Sequence, residues 1–332
     1  MKPGHYSIQI DASHEMLRIS EEITSEVLRK LRKKGAVVAV SGGVDSAVCL
    51  GLCARALGPG SVLAVFLPDR DSSQESARLA SLVSSQFGVH LESQDISPIL
   101  EAAGAYGSQE AAIQDIWPDF KRSWDFKIVL PALLEAELIP TPRIQLATPS
   151  GEERIERLPH RVHLKLIAAT NYKQRTRKMI EYYHADRLGY AVCGTPNRLE
   201  YDLGFFVKGG DGLADFKPIA HLYKSHVYAL AEVLGVPEDV VSRNPTTDTF
   251  PLEQSQEEFY YGAPLWILDL CLFGMQNDLT AEYVARVADL TQDQVERVWK
   301  SIRSKKHAAA LLHRSDVTFG ESRSETSRRE SG

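Results

Sequence analysis

A polar loop with the composition of a phosphate-binding site follows an apolar run near the amino terminus. Residues 36–46 read AVVAVSGGVDS, and the loop consists of Ser41, Gly42, Gly43, Val44, Asp45 and Ser46. Glycines let backbone N–H groups approach a phosphate, and the helix that follows directs its positive end at the same anion. Asp45 would repel that anion unless a divalent cation lay between them, which predicts Mg²⁺ beside the loop.

The order of these residues distinguishes the loop from other glycine-rich loops. It is neither the G-x-G-x-x-G dinucleotide fingerprint nor the lysine-containing P-loop. A plainer alternative is that Gly42 and Gly43 only turn the chain, while Asp45 opens a helix favourably against its dipole. The complete string of strand, S-G-G-x-D-S and helix favours the phosphate-binding interpretation.

The elements that position the loop alternate between strands and helices. Apolar runs predict strands at 36–40, 61–67, 89–96 and 190–193, and helical periodicity predicts helices at 13–34, 45–57, 74–87, 162–187 and 222–234. This alternation predicts a doubly wound, Rossmann-like α/β fold, with helices on both faces of a mostly parallel sheet. In such folds, ligands bind beyond the carboxyl ends of the strands, where the loop is placed.

A single domain over residues 1–313 is predicted to account for nearly all of the chain. Prolines and tryptophans interrupt the regular pattern between about 97 and 159, which predicts an insertion. Within it, TPSGEERIERLP (148–159) is typical of an exposed hairpin or loop. Residues 314–332 lack apolar periodicity and predict a disordered tail.

Composition argues against several classes of protein. The chain has 332 residues, 43% of them hydrophobic, and a net charge of -6, which gives no overall basic field for nucleic acid. Neither a signal peptide nor a membrane-spanning run is visible, so a cytoplasmic protein is predicted. Cys49, Cys53, Cys193 and Cys271 each lie among apolar residues, and we expect buried, reduced thiols.

The loop and three longer strings together resemble one family. SGGVDS looks like the pyrophosphate loop of the N-type ATP pyrophosphatases, which implies an adenine nucleotide alpha hydrolase-like fold. Within that group, NYKQRTRKMIEYYHA (171–185), the segment 194–241 and NPTTDTF (244–250) resemble NAD synthetase. The resemblance extends from about Gly35 to Lys306, apart from the insertion.

This resemblance implies an ATP-dependent ligase. In the family, the carboxylate of deamido-NAD attacks the α-phosphorus of ATP, which gives an acyl adenylate and pyrophosphate. Ammonia then displaces AMP and forms the amide of NAD. Ammonia is the expected nitrogen donor, because no glutaminase-sized segment accompanies the synthetase core in this sequence.

The resemblance also implies roles for residues around ATP. Asp45 and Glu200 would hold Mg²⁺, and Lys224 would place its charge on the phosphates. Further candidates for contact with ATP, besides the loop, are Thr195, Thr246, Arg70, Ser73 and Gln74. Taken alone, Glu200 is typical of a surface carboxylate and Lys224 of a lysine at a helix end. The surrounding motifs favour a role for both residues in ATP binding.

A second set of positions matches the part of the family that binds deamido-NAD. They are Asn171, Arg175, Phe205, Lys208, Asp211 and Asp215, together with Lys305 and Lys306, where relatives carry His-Lys. The basic residues suit anionic groups, the aspartates suit hydroxyls or the pyridinium, and the phenylalanine could stack on the ring. Plainer alternatives are a solvated helix face and, for Asp211, a turn. Relatives are homodimers, and the apolar helix around 164–180 could supply such an interface.

Besides Lys305–Lys306 in place of His-Lys, two further features depart from the family pattern. The loop after P-T-x-D usually carries an Asp-Glu pair and then a tyrosine, whereas this chain has Glu257, Glu258 and then Leu265. The insertion is also longer than in compact relatives. Two alternatives therefore stay open: a ligase of the same type acting on another carboxylate, and a nucleotide-binding protein without turnover. Transfer-RNA thiolation is disfavoured, because no cysteine falls in a loop beside the nucleotide.

Overall fold

A computed structural model of the chain describes residues 8–135, 141–246, 249–315 and 319. The strands are Ala36–Ala39 (β1), Val62–Phe66 (β2), His90–Ser93 (β3), Asp125–Val129 (β4), Arg143–Ala147 (β5), Glu153–Arg157 (β6) and Ala191–Cys193 (β7). The α-helices are Ala12–Thr24 (α1), Val44–Leu57 (α2), Gln74–Gln86 (α3), Ser97–Ala102 (α4), Ala105–Gln114 (α5), His160–Leu188 (α6), Arg198–Leu203 (α7), Lys224–Leu234 (α8), Glu238–Val241 (α9), Leu265–Gln276 (α10), Ala281–Ala288 (α11) and Gln292–Leu312 (α12).

Four strands form the central sheet, in the order β3-β2-β1-β7. All of its pairings are parallel, and β1 lies inside, where Ala36 pairs with both Val62 and Ala191. The four strands predicted from apolar runs are therefore confirmed, as is the α/β fold class. A parallel arrangement needs a crossover between successive strands, and α2, α3 and α6 provide these connections.

Both faces of β1 are covered, which explains why its sequence is apolar throughout. Ala36 and Val38 point to a core built with α1, α2 and α8, whereas Val37 points to a separate core with α4, α5 and α6. A strand buried on both faces shows a continuous apolar run instead of alternation. The two cores fix β1 between helical layers, so the loop after it begins from a rigid support.

The region predicted as an insertion contains regular structure that the sequence only partly indicated. Strands β4, β5 and β6 form an antiparallel sheet, and the predicted hairpin is confirmed as the β5–β6 pair. Phe126, Ile144 and Leu146 from this sheet pack with α5 and the start of α6. Strand β4 was not predicted, and residues 136–140 lie outside the described residues.

Helix ends differ from the predictions by a few residues. The first helix continues from α1 as a π-helical turn over Ser25–Lys30, and it ends before the predicted limit at 34. Helix α8 begins at Lys224, two residues later than predicted, because the Asp269 carboxylate accepts from Lys224 N and Ser225 N. The predicted tail lies almost wholly outside the described residues.

Two further predictions concern membranes and thiols. Among the residues described, no helix combines the length and apolarity needed to cross a membrane. Cys49, Cys53, Cys193 and Cys271 are all buried and none is in a disulfide, which confirms the expectation for these thiols.

Candidate active site

A cleft opens at the carboxyl ends of the parallel strands, where the sequence predicted a ligand site. Its volume is about 560 Å³, and Val40, Leu67 and Gly194, which follow β1, β2 and β7, form part of its wall. The loop after β1 and the first turn of α2 line it, as do side chains of α6. The sheet therefore brings together segments that are far apart in sequence.

Hydrogen bonds within the loop hold it open toward the cleft. Ser46 Oγ donates to the Gly43 carbonyl at 2.9 Å and accepts from Ser41 N at 3.2 Å. Gly43 is the N-cap of α2, and no side chain of the described residues caps the first turn, whose N–H groups can therefore serve a ligand. Gly42 has a φ of +78°, and a Cβ there would lie 2.9 Å from the Ser76 carbonyl oxygen, so glycine is required.

Asp45 and Lys224 form a buried ion pair at the start of α2. Lys224 Nζ contacts Asp45 Oδ2, and the lysine side chain is 1% exposed while the aspartate is 15% exposed. Burial alone would lower the pKa of Lys224, but the charges of Asp45 and Glu200 raise this pKa above its usual value. The cleft therefore contains a permanent positive charge beside the loop.

Asn197 connects this ion pair to the second predicted acid. Its Nδ2 donates to Asp45 Oδ1 at 3.0 Å, and its Oδ1 accepts from Glu200 N at 3.2 Å. Glu200 Oε2 in turn accepts from Asn197 N at 3.0 Å, which completes a capping box at the start of α7. One asparagine thus fixes both acids relative to each other.

The environment of Glu200 disfavours its charged form. Burial and then the nearby charge of Asp45 raise the pKa of Glu200 to about 8, and Gln256 Nε2 donates to its Oε1 at 3.1 Å. No cluster of three or more His, Cys, Asp or Glu side chains arranged for a metal occurs among the described residues. A cation between Asp45 and Glu200 would therefore also need oxygen ligands from phosphate and water.

A carboxylate that was not predicted from the sequence fixes the start of α8, where Lys224 lies. Asp269, on α10, accepts from Ser225 N at 2.9 Å and from Lys224 N at 3.2 Å, so it caps α8. Burial raises the pKa of Asp269 to about 6. The position of Lys224 in the cleft therefore depends on the packing of α10 against α8.

The positions matched to deamido-NAD lie mostly along α6 and the loop 204–213. Five of them line the cleft: Asn171, Arg175, Phe205, Lys208 and Asp211. Arg175 Nε donates to the Lys208 carbonyl at 3.3 Å, and Asp211 Oδ1 accepts from Val207 N at 2.7 Å, so the loop is tied to α6 and to itself. Phe205 stacks on Tyr260 with ring centroids 4.7 Å apart and also packs edge-on against Phe259 and Tyr261.

Three residues predicted to contact ATP, Arg70, Ser73 and Gln74, do not line this cleft in the described structure. The Arg70 guanidinium lies 3.6 Å above the Tyr106 ring and faces a second cavity of about 740 Å³. Gln74 is the first residue of α3, whose N-cap is Ser73. Because these residues are not part of the cleft wall, their adenosine roles stay predictions.

Three residues predicted to contact deamido-NAD are also absent from the lining among the described residues. Asp215 accepts from Val192 N at 2.7 Å and from Tyr182 Oη at 3.2 Å, so it binds the outer edge of β7. Lys305 lies with its Nζ 5.3 Å from the Tyr260 ring centroid, and Lys306 pairs with Asp202 at 3.4 Å. Local contacts occupy all three side chains.

Several lining residues were missed from the sequence. Lys178 and Glu181 line the cleft from α6, and Gln256 reaches it from the altered loop. The N-R-L-E string at 197–200 carried the signal of a capping box and could have identified Asn197. The spacing of Gln174, Lys178 and Glu181 along one helix face could have indicated a polar wall.

These features define a class of protein. A parallel α/β sheet with a glycine-containing loop, two acids and a buried lysine at its carboxyl edge is the architecture of a nucleotide-binding α/β protein. A family model described as NAD synthase matches residues 16–119 and 148–311. The chain belongs to the NAD synthase family. Residues 120–147 are unmatched, and they lie inside the predicted insertion.

Individual relatives agree with this membership. The NH(3)-dependent NAD(+) synthetase of Mesorhizobium japonicum is 50% identical over 306 residues, which cover 92% of this chain and 96% of that protein. The protein of the same name from Rhizobium meliloti is 50% identical over 307 residues, or 92% of each chain. The solved structure of NMN synthetase from Francisella tularensis has a TM-score of 0.65 at 18% identity, covering 94% of this chain and all of that one, and shows the shared fold.

Proposed function

We propose that the chain is an NH₃-dependent NAD synthetase, which converts deamido-NAD, ATP and ammonia into NAD, AMP and pyrophosphate. The observation that supports this best is the grouping of Asp45, Glu200 and Lys224 at the amino terminus of α2. A triphosphate placed there would meet backbone N–H groups, a buried lysine and two acids suited to a cation. The two relatives at 50% identity carry this activity in their names.

We infer that Asp45 and Glu200 hold Mg²⁺ on the phosphates. Burial and then the charge of Asp45 raise the pKa of Glu200, and a bound cation would offset the repulsion between the two carboxylates. Mg²⁺ commonly takes one or two carboxylates and completes its octahedron with phosphate oxygens and water, so two acids suffice. When bound, the ion would supply charge neutralisation for the departing pyrophosphate.

The first half-reaction joins the two substrates without proton transfer. A carboxylate oxygen of deamido-NAD bonds to the α-phosphorus while the bond from that phosphorus to the bridging oxygen of pyrophosphate breaks. In this proposal Ser41, the N–H groups at the start of α2 and Lys224 bind the departing phosphates. Their arrangement before the substrate arrives reduces the reorganisation needed in the transition state.

The acceptor side of the cleft positions the carboxylate. Arg175 and Lys208 would bind the phosphates of deamido-NAD, and Asn171 would hydrogen-bond to it. Phe205, which lines the cleft, would contact its pyridinium ring. In the second half-reaction, ammonia attacks the acyl carbon, the bond from that carbon to the AMP oxygen breaks, and the nitrogen gives up a proton.

A ligase of the same type with another acceptor is the second candidate. The structural neighbour whose title names an NMN synthetase shares the fold, so the fold alone does not select the acceptor. The relatives named as NAD synthetases are far more similar in sequence, which favours deamido-NAD.

Product analysis tests these candidates. The purified full chain, incubated with ATP, Mg²⁺, deamido-NAD and ammonium chloride, should form NAD, AMP and pyrophosphate in equal amounts by chromatography. Parallel reactions contain nicotinate mononucleotide or simple carboxylates instead. AMP formed only with one of these would support another acceptor. Tight ATP binding without pyrophosphate release under any condition would support a binding protein.

We also propose that the chain is a homodimer in which α6 packs against a second copy. Leu164, Tyr172, Met179 and Tyr183 are exposed on this helix, and their spacing places them on one face. The same helix carries Asn171 and Arg175, so this row of exposed apolar residues lies next to the cleft. The predicted cytoplasmic location stays a prediction.

Light scattering after size exclusion tests the dimer. The wild type should have twice the mass of one chain, and Met179→Glu combined with Tyr183→Glu should give a monomer. Val233→Glu, at an exposed apolar residue of α8, serves as the matched control and should remain dimeric. A monomeric wild type would contradict the proposal.

A further inference from the structure

A buried ion pair lines the cleft outside the residues assigned so far. Lys178 and Glu181 lie one turn apart on α6, and Lys178 Nζ donates to Glu181 Oε2 at 2.6 Å. Each side chain is 5% exposed, and both line the cleft. Removing two charges from water is costly, so a buried pair adds little stability over apolar side chains. Its position in the cleft makes it a candidate for function.

The pair retains unused hydrogen-bonding capacity. Within the described part of the chain, the contact between Lys178 and Glu181 is the one hydrogen bond that either charged group makes. A lysine ammonium carries three donors, and a carboxylate offers about four acceptor sites. A small polar molecule in the cleft could therefore bind to Glu181 Oε1 without displacing the lysine.

The other acids of the cleft are already engaged. The carboxylates that line it in the described structure are Asp45, Glu181, Glu200 and Asp211. Asp45 and Glu200 belong to the phosphate end, where Asn197 connects them. Asp211 holds Val207 N and thereby shapes its own loop. Glu181 is the acid left without such a role.

Ammonia is the reactant for which the proposed function has assigned no residue. At neutral pH it is mainly the ammonium cation, which has no lone pair and must lose a proton before it can attack. A buried carboxylate attracts this cation, and burial raises the pKa of Glu181, which makes it a better proton acceptor. The charge of Lys178 opposes this rise in the pKa of Glu181, and the charge of Asp211 adds to it.

We propose that Glu181 binds ammonium in the cleft and accepts its proton, while Lys178 holds the carboxylate in position. This inference rests on the proposed function. One N–H bond of ammonium breaks and an O–H bond forms on Glu181. The nitrogen keeps the electron pair and bonds to the acyl carbon, and AMP leaves with the electrons of the broken C–O bond. The amide nitrogen then loses a second proton to solvent, and Glu181 releases the first.

Separating the two half-reactions tests the role of Glu181. In Glu181→Gln, pyrophosphate release from ATP and deamido-NAD without ammonium should stay within about twofold of wild type. Formation of NAD at saturating ammonium should fall about 100-fold, the lower range for loss of a general base. Hydroxylamine is mainly neutral at pH 7, so the variant should form the hydroxamate at nearly the wild-type rate.

A double variant separates this role from a structural one. Glu181→Gln leaves the Lys178 charge buried without its partner, which can disturb the fold. Lys178→Met combined with Glu181→Gln removes both charges, and its amidation should remain slow while pyrophosphate release persists. Recovery of amidation in the double variant would overturn the proposal. Glu232→Gln, at an exposed glutamate of α8, is the matched control and should behave as wild type.

Failure of this inference can be told apart from failure of the proposed function. If the wild type amidates another acceptor, the same comparison is made with that acceptor. Equal amidation rates for Glu181→Gln and wild type would overturn the role of Glu181 and leave the synthetase function standing. A wild type that forms no amide with any acceptor would overturn both.

Discussion

Asn197 donates a hydrogen bond of 3.0 Å from its side-chain amide to Asp45 Oδ1, across 152 positions of sequence. The same side chain caps α7 by accepting from Glu200 N. Asp45 and Glu200 therefore do not enter the cleft independently, because one neutral residue sets their separation. In the proposed function, the arrangement of charge around the triphosphate of ATP therefore depends on a neutral asparagine.

Replacing this asparagine should affect both stability and activity. Asn197→Ala removes an N-cap, which costs about 1 kcal/mol in the free energy of unfolding, and it frees Asp45 to move. We expect kcat/KM for ATP to fall at least tenfold, measured by pyrophosphate release, because misplaced charges stabilise the transition state less.

A second N-cap provides the control for that variant. Thr280 caps α11 by accepting from Tyr283 N, and it does not line the cleft. Thr280→Ala should lose a similar free energy of unfolding and keep its activity. Equal losses of activity in the two variants would show that Asn197 acts only through stability.

Breaking the ion pair of Asp45 and Lys224 should separate stability from catalysis. Lys224→Met leaves the aspartate without its partner, and breaking a buried pair costs about 3–5 kcal/mol. Adding Asp45→Asn should restore much of the free energy of unfolding, measured by urea titration, because no lone charge remains. Pyrophosphate release should stay at least about 100-fold below wild type in both variants. Active double variants would contradict the assignment.

The raised pKa of Glu200 predicts how stability depends on pH. Its pKa changes from 4.5 to about 8 on folding, so the folded protein binds this proton more tightly than the unfolded chain does. The stabilising contribution is complete below pH 4.5 and is lost as pH rises through about 8. Without ligands, Tm should therefore decrease over this interval in wild type and less in Glu200→Gln.

Mg²⁺ and ATP should counteract this decrease in Tm near pH 8. A cation bound by Glu200 stabilises the ionised carboxylate, so the ligand-dependent rise in Tm should be larger at pH 8 than at pH 6 in wild type. Differential scanning fluorimetry at fixed ionic strength measures the slope of Tm against pH with and without Mg²⁺ and ATP. Identical slopes in wild type and Glu200→Gln would show that another group controls the dependence.

Gly42 should tolerate substitution less well than another glycine with the same backbone conformation. Gly42 and Gly104 have φ of +78° and +74°, where alanine costs about 1–2 kcal/mol. A Cβ at Gly42 also meets the Ser76 carbonyl at 2.9 Å, whereas one at Gly104 has nothing within 4 Å. Gly42→Ala should therefore be the less stable by chemical denaturation and should have a raised KM for ATP. Equal stability of Gly42→Ala and Gly104→Ala would mean that the loop can shift away from Ser76 without a loss of free energy of unfolding.

The central sheet could be predicted because each of its strands has a consistent local pattern. Strand β1 is apolar at every position, since cores lie on both of its faces. Strand β4 was missed because its alternation is brief: Phe126 and Ile128 are its two inward residues, and tryptophan and proline surround the segment. A pattern of two apolar residues does not distinguish a strand from a loop.

The limits of site prediction follow from the same physics. The loop after β1 could be recognised because its residues are contiguous and their chemistry is local. Asp215 lies in the same sequence segment as Asp211, yet it accepts a hydrogen bond from Val192 N. This contact exists because β7 is an edge strand of the folded sheet, which the local sequence does not reveal. Gln256 donates to Glu200 only because the fold brings the two residues together, so no spacing in the sequence predicts this contact.

Helix α6 contains 29 residues, which gives it a length of about 44 Å at ~1.5 Å per residue. It forms one continuous rod along which Asn171, Arg175 and Glu181 meet the cleft. Another part of the cleft wall consists of the separate loops that follow β1, β2 and β7. In the proposed function, α6 contributes to the binding of deamido-NAD, whereas the groups that bind ATP come from the loop after β1 and from the starts of α7 and α8. In the proposed function, substitution of Asn171 or Arg175 on this helix should therefore weaken binding of the carboxylate substrate and leave the ATP-binding end of the cleft unchanged.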